Sequence, residues 1–249
     1  MPTPARREQT GVPLGADAPI LEVMRTMRAM RRLAPDPVPG ELLERLVEAA
    51  TWAPSGSNAQ AYEFVVVTDP AVMAELAPLW RRCVESYMTL VGDRRPATMD
   101  DARFDALRRA IAYQAEHFAA TPALIVPCYR YPTDPLAVVR DPGATLRGLG
   151  QLGAEGTARL LARLQRIGLL AEASSIYPGV QNLLLAARAL GLGANITIWH
   201  LFLEHEWKAV LGIPRGVHTY AVIPVGWPLG RFGPVTRRDA RSAIHRDHW

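Results

Sequence analysis

Apolar residues recur at helical spacing near the start of the chain. Ile20, Val23, Met24 and Met27 follow i, i+3, i+4, i+7 and predict a helix of about ten residues, with Asp17 as its N-cap and Pro19 in its first turn. That helix runs into Arg28, Arg31 and Arg32, and Pro35, Pro37 and Pro39 then enforce an extended connection. A second helix has Glu41 and Glu44 in its first turns, where the helix dipole favours acids, and Leu42, Leu43, Leu46, Val47 and Ala50 as its inner stripe. Pro54 marks its end, and Ser55-Gly56-Ser57-Asn58 reads as a tight polar turn. Tyr62 to Thr68 is β-branched and aromatic, is bounded by Asp69-Pro70, and reads as a strand.

Residues 71–119 read as two helical pieces broken near Gly92 to Pro96. Ala123 to Tyr129 is a short apolar strand whose Pro127 argues for an edge position or a bulge. Residues 131–144 read as a loop. Ala154 to Leu170 and Val180 to Leu190 read as helices, the second closed by Gly191. Ala194 to Ile198 and Thr219 to Val225 are strands, with a helix from Leu203 to Leu211 between them. The pattern contains no repeat, low-complexity linker or composition break. It predicts a polar arm over residues 1–18 and one α+β domain over 19–249, with helices around a sheet of four or five strands.

Composition narrows the functional classes. With 49% apolar and 21% charged residues, this is an ordinary folded chain and not a disordered one. Cys83 and Cys128, far apart in sequence, exclude a disulfide scaffold and a four-cysteine zinc site, and they fit a reducing cytoplasm. The start lacks an apolar run after Arg6 and Arg7, so it does not read as a signal peptide. No uncharged apolar run reaches the ~18 residues of a membrane span. The net charge is +4, and Lys208 is the single lysine among 28 basic residues. The arginines are scattered among acids and only 7% of residues are aromatic, which argues against nucleic acid as partner.

Several motifs have a structural reading that outweighs the chemical one. Gly148-Leu149-Gly150-Gln151-Leu152-Gly153 matches the dinucleotide fingerprint, but no strand precedes it, so it reads as a glycine-containing helix edge or lid. His200 and His205 are five residues apart and do not share a helix face, so they read as surface or capping groups and no metal is expected. The cysteines have no activating partner and read as small core residues. No serine-hydrolase elbow is present.

Three features point to an anion. Arg28, Arg31 and Arg32 crowd three guanidiniums at one helix end, more than the dipole requires, and their forked donors suit phosphate. The Ser55-Gly56 turn can aim backbone N–H groups at a ligand. Arg237-Arg238 adds a basic pair near the C-terminus.

The order of these pieces resembles the FMN-dependent nitroreductase family. Met27-Arg28-Ala29-Met30-Arg31-Arg32 through Pro35, Pro37-Val38-Pro39 and Ala53-Pro54-Ser55-Gly56-Ser57-Asn58-Ala59-Gln60 is similar to the family's opening. Val180-Gln181-Asn182-Leu183-Leu184-Leu185-Ala186-Ala187-Arg188-Ala189-Leu190-Gly191-Leu192-Gly193 resembles its central helix, and Ile223-Pro224-Val225-Gly226-Trp227-Pro228 with the basic pair resembles its ending. Met27 and Ala29 replace the family's first arginine and its serine, and Ala61-Tyr62 replaces its Pro-Trp. Residues 71–175 match nothing specific.

The resemblance implies a central mixed or antiparallel sheet and an intertwined homodimer with non-covalent FMN at the interface. Arg28 and Arg237, then Arg238, are first choices for the ribityl phosphate, with the Ser55-Gly56 N–H groups helping. Arg31 falls at flavin N1 and O2, where a cation stabilises the reduced form, and Arg32 either joins it or faces solvent. Asn58 and Gln60 would reach the partner chain's flavin, with Ala29 and Pro54 lining the pocket. Pro178-Gly179 would start a helix facing the ring, and Ile196 and Thr197 would close another edge. The implied reaction moves two electrons from NADH or NADPH through flavin N5 to a small electron-poor acceptor such as a nitroaromatic or quinone, with no catalytic side chain required. Residues 131–175 would form the lid or substrate side. A non-catalytic FMN-sequestering or sensing protein, and a same-fold dehalogenase or flavin-destructing enzyme, stay open.

Overall fold

The computed structural model describes residues 14–15, 17–92, 94–130 and 141–249. Most of the arm expected at 1–18 lies outside the described residues. So does 131–140 of the expected loop and lid, while Pro142–Ala144 are already helical. The chain forms α1 (Ile20–Thr26), α2 (Gly40–Thr51), β1 (Tyr62–Val67), α3 (Pro70–Val91), α4 (Asp101–Glu116), β2 (Ala123–Tyr129), α5 (Pro142–Ala189), β3 (Gly193–Ala194), α6 (Glu204–Leu211), β4 (His218–Thr219) and β5 (Ile223–Gly226).

The sheet is antiparallel and runs β1-β2-β5-β3, with β4 also pairing β2. Strand β2 is buried throughout and divides two cores. Ala123, Ile125 and Tyr129 pack with α2 and the C-terminal half of α5. Leu124, Val126 and Cys128 pack with α3, α4 and α6. Apolar residues on both faces are what a strand between two helical layers requires.

Pro127 therefore sits on a central strand, not an edge. The bulge half of the expectation explains how. Cys128 faces Thr219, but Ile125 faces Ile223, so two residues of β2 oppose three on the neighbouring strand. The missing N–H falls at that slip, and the Pro127 carbonyl still accepts from the Tyr220 N–H at 3.0 Å.

Two helices differ from expectation. Helix α1 stops at Thr26, and Pro19, not Asp17, precedes it as cap. The chain from Arg28 is extended because its backbone has better partners elsewhere: Met30 N–H donates to Ala194 O at 3.0 Å, and Ala29 bridges Ala194. Ile20 and Met24 of the predicted stripe are exposed, while Val23 and Thr26 are buried. Helix α5 is continuous over 48 residues apart from a break at Gly153, where φ is 66°. The glycine triplet thus lies in its first turns, and Pro178-Gly179 are internal and not a helix start. Packing holds the proline in place. Ser175 Oγ accepts from Gly56 N–H at 3.1 Å, and an added Cβ on Gly179 would lie 2.7 Å from the Ala50 carbonyl oxygen.

Candidate functional site

The expected site residues fall into two groups. The first is built on residues 25–34, the end of α1 and the extended segment after it, which run antiparallel to the C-terminal tail. Ala34 N–H donates to Trp227 O at 2.8 Å, Leu229 N–H to Arg32 O at 3.0 Å, and Val235 N–H to Arg25 O at 2.9 Å. Leu33 bridges Pro228, and a Cβ on Gly233 would lie 3.9 Å from Arg28 Nη1. The two strands form a ribbon that carries Arg28, Arg31 and Arg32 on one side and leads directly to Arg237 and Arg238 on the other. The arginines are therefore presented by a strand and not by a helix end. Backbone from both ends of the chain meets there.

Among the described residues, none of these five arginines pairs with a carboxylate. Arg32 sits over the Tyr113 ring, 5.2 Å from its centroid, and Arg237 donates to the carbonyl of Thr236. Arg31 is half-buried and burial pulls its pKa below the usual guanidinium value. Arg28, Arg32, Arg237 and Arg238 are exposed, and forked donors without carboxylate partners are free to take an anionic or electron-rich group. Ala29 lies beside Ala194, and exposed Ile196 and half-buried Thr197 follow two and three residues later on the same stretch of chain.

The second group is the loop after α2. Pro54 and Ser55 lead into Gly56–Asn58, and φ is positive at three non-glycine residues: 53° at Ser57, 52° at Asn58 and 49° at Gln60. Each such residue costs of order 1–3 kcal/mol, and such strain collects at functional sites. Four of the backbone N–H groups expected to help hold an anion are already spent inside the protein. Gly56 N–H donates to Ser175 Oγ, Asn58 N–H to Ser55 O, Ala59 N–H to Gly56 O, and Gln60 N–H to Ser55 Oγ. What the loop presents outward is the side-chain amides of Asn58 and Gln60, both exposed. Pro178 and Gly179 belong to this end of α5, and Gly179 is packed on α2.

Helix α5 separates the groups. Ser175 holds the loop, and Arg188 holds the ribbon through Nε to Thr26 Oγ1 at 2.9 Å. Thirteen residues of helix lie between, about 20 Å at 1.5 Å per residue.

Sequence reasoning missed two further clusters. Glu172, 6% exposed, accepts at Oε2 from the Tyr220 hydroxyl and lies 2.7 Å from His218 Nδ1. Burial and the Glu172 carboxylate push the Tyr220 hydroxyl well above its ordinary pKa. His200, expected at the surface, is fully buried, because its ring fills the core edge-on to Trp207. Thr219 donates its hydroxyl to Glu204 Oε1 at 2.7 Å, so His200 Nε2, 3.0 Å from Thr219 Oγ1, must be the donor there. Burial pulls the His200 pKa down to about 4. No cluster of metal-ligating side chains occurs among the described residues. A groove of about 400 Å³ between α1, α2 and α5, lined by Arg45, Glu48, Trp52 and Asn182, contains none of the expected site residues.

A family profile described as the nitroreductase family matches residues 24–227. The 5,6-dimethylbenzimidazole synthase of Rhodospirillum rubrum is 27% identical over 203 residues, covering 81% of this chain and 78% of that protein. A nitroreductase with bound FMN from Desulfitobacterium hafniense superposes with a TM-score of 0.57 at 19% identity, over 92% of this chain and 98% of that one. An iodotyrosine deiodinase bound to FMN and 3-iodo-L-tyrosine superposes with a TM-score of 0.62 at 17% identity, over 93% of this chain and all of that one. These likenesses establish the fold, and the matched proteins differ in their chemistry.

Proposed function

The chain belongs to the nitroreductase family, and from that premise we propose that it is an FMN-dependent oxidoreductase taking two electrons from NADH or NADPH and delivering them to an electron-poor acceptor such as a nitroaromatic or quinone. When bound, FMN supplies the two-electron carrier. The observation that carries the reading is the set of five guanidiniums on the 25–34 ribbon and its tail, without carboxylate partners among the described residues. Arg28, Arg237 and Arg238 hold the phosphate, which carries nearly two negative charges. Arg31 stands at the ring's N1–O2 edge, where its burial keeps solvent from screening it. Ala29, Ile196 and Thr197 line the same pocket.

The second group belongs to the same site in a homodimer. Asn58, Gln60, Pro54 and the Ser55-Gly56 turn lie some 20 Å of helix away from the ribbon of their own chain, so they complete the pocket of the other subunit. A further observation supports a second copy. The first half of α5 leaves Leu161, Leu164 and Ile167 exposed at helical spacing.

An absorbance spectrum followed by anaerobic titration tests the reading. The purified protein is expected to be yellow, to bleach on addition of NADH or NADPH, and to have a native mass about twice 27.3 kDa. A colourless protein that cannot be reconstituted with FMN refutes it. The match to the Rhodospirillum rubrum synthase across 81% of the chain favours one alternative, a same-fold enzyme with different flavin chemistry. Steady-state consumption of nicotinamide with a nitroaromatic or quinone decides between the two.

A further inference from the structure

Beside the backbone bonds to Ala194, a buried cation ties the arginine ribbon to the body of the protein. Arg188 lies on α5, 5% exposed, in a turn that is otherwise Leu and Ala. Its Nε donates to Thr26 Oγ1 at 2.9 Å, and Thr26 in turn donates to Glu22 O. Its guanidinium carbon stands 4.2 Å from the centroid of the Phe232 ring. Thr26 is the last residue of α1, where the chain passes into the extended segment that carries Arg28, and Phe232 is on the tail, between Leu229 and Val235. One side chain therefore touches both segments. Its Nη1 is buried without a hydrogen-bond partner among the described residues, and such a donor is retained only where something else repays it.

We propose that Arg188 is a positioning residue that pins the C-terminal tail against segment 25–34 and so sets the spacing between Arg28 and Arg237 for a phosphate. The part concerning phosphate rests on the FMN reading above; the pin itself does not. A guanidinium suits this task better than an apolar side chain. Stacking of its flat face on Phe232 and donation from its edge to Thr26 are directional, so they fix the register of the two strands and not merely their burial. Between Leu229 and Val235, whose N–H groups donate to Arg32 O and Arg25 O, no further backbone hydrogen bond joins the tail to residues 25–34 among the described residues, and Arg188 meets the tail inside that gap.

The test uses the full chain with Arg188→Met, Arg188→Lys and Phe232→Leu. The last is half-buried and leaves the core of α5 untouched, so it keeps the test open if Arg188→Met fails to fold. Hydrogen exchange of the Val235 and Leu229 amides in the FMN-free protein reads the pin directly. Fluorescence titration with FMN and with riboflavin reads its consequence. Arg188→Met and Phe232→Leu are expected to speed exchange at Val235 at least tenfold, with Tyr220 exchange unchanged. They should weaken FMN about tenfold while leaving riboflavin, which lacks the phosphate, within about twofold. Arg188→Lys, which keeps the charge but loses the fork, should fall between. Unchanged Val235 exchange in both apolar variants overturns the pin. Equal weakening of FMN and riboflavin reduces Arg188 to general structure and also overturns it. If the unmodified protein binds neither flavin, the functional reading fails and the exchange data still decide the pin.

Discussion

Replacing Gly179 by alanine probes the packing of α5 on α2, because Gly179 lies inside α5 against the backbone of α2. Its φ is not in the left-handed region, so alanine is conformationally acceptable there. In a free helix, replacing glycine by alanine stabilises by about 0.5–1 kcal/mol. In this structure the added Cβ would stand 2.7 Å from the Ala50 oxygen and 3.5 Å from its carbon. That oxygen is backbone in the last turns of α2 and cannot rotate aside, so the two helices must part by several tenths of an ångström. Overpacking of this kind costs about 1–3 kcal/mol, leaving a net loss of up to about 2.5 kcal/mol after the propensity gain. For a chain of this size that corresponds to a fall in melting temperature of up to roughly 10 °C. Urea unfolding of the FMN-free protein measures it without linkage to ligand binding. Gly168→Ala is the control: the same helix, with nothing within 4 Å of the new Cβ, and an expected gain of up to ~1 kcal/mol. If Gly179→Ala is as stabilising as Gly168→Ala, the α2–α5 contact is not the constraint described. If it is stable but loses FMN, the residue faces the cofactor after all.

Other expectations follow from the same geometry. His200 has a folded pKa of about 4 against ~6.5 unfolded, so the unfolded chain binds the extra proton between those values, and stability should fall as pH drops through that window, by about 3 kcal/mol in all. His200→Gln should lose that slope in pH-dependent urea unfolding; an unchanged slope assigns it elsewhere. Burial pushes the Cys128 thiol up to about 12 and raises that of Cys83, so neither should react with a disulfide reagent at pH 8 until the protein unfolds, and rapid native labelling would contradict the packing. If Arg28 holds the phosphate as proposed, Arg28→Ala should weaken FMN roughly 10- to 150-fold in a fluorescence titration. Gln60→Ala should impair the other half of the pocket. Mixing the two variants under subunit exchange should restore about a quarter of the sites if each pocket draws on two chains, whereas no recovery shows that the groups do not meet across a dimer.

The element order was readable because most of the chain is locally consistent. Helix α2 buries Leu43, Leu46 and Ala50 as its stripe requires, and β2 is apolar on every residue because both its faces are covered. Where the reading failed, a tertiary contact outweighed a local rule. The stripe of Ile20 to Met27 extends a helix past Thr26, but Ala194 offers the Met30 N–H a strand partner, and the arginines are carried on that strand. Pro178 reads as a helix start, yet Ser175 and Gly179 are tied to the loop and to α2, and those ties carry the helix through the proline. The Ser55 turn has the composition of an anion nest, but Ser55 and Ser175 accept two of its N–H groups, and composition gives no account of where a donor is already spent. Arg188 was visible only as a charge in an apolar run, since Thr26 and Phe232, its partners, are 162 residues before it and 44 after it. The separation of the two site groups has the same origin. Sequence order lists them together, but the stretch of α5 from Ser175 to Arg188 holds them about 20 Å apart along the helix, and no local pattern in the sequence shows that separation.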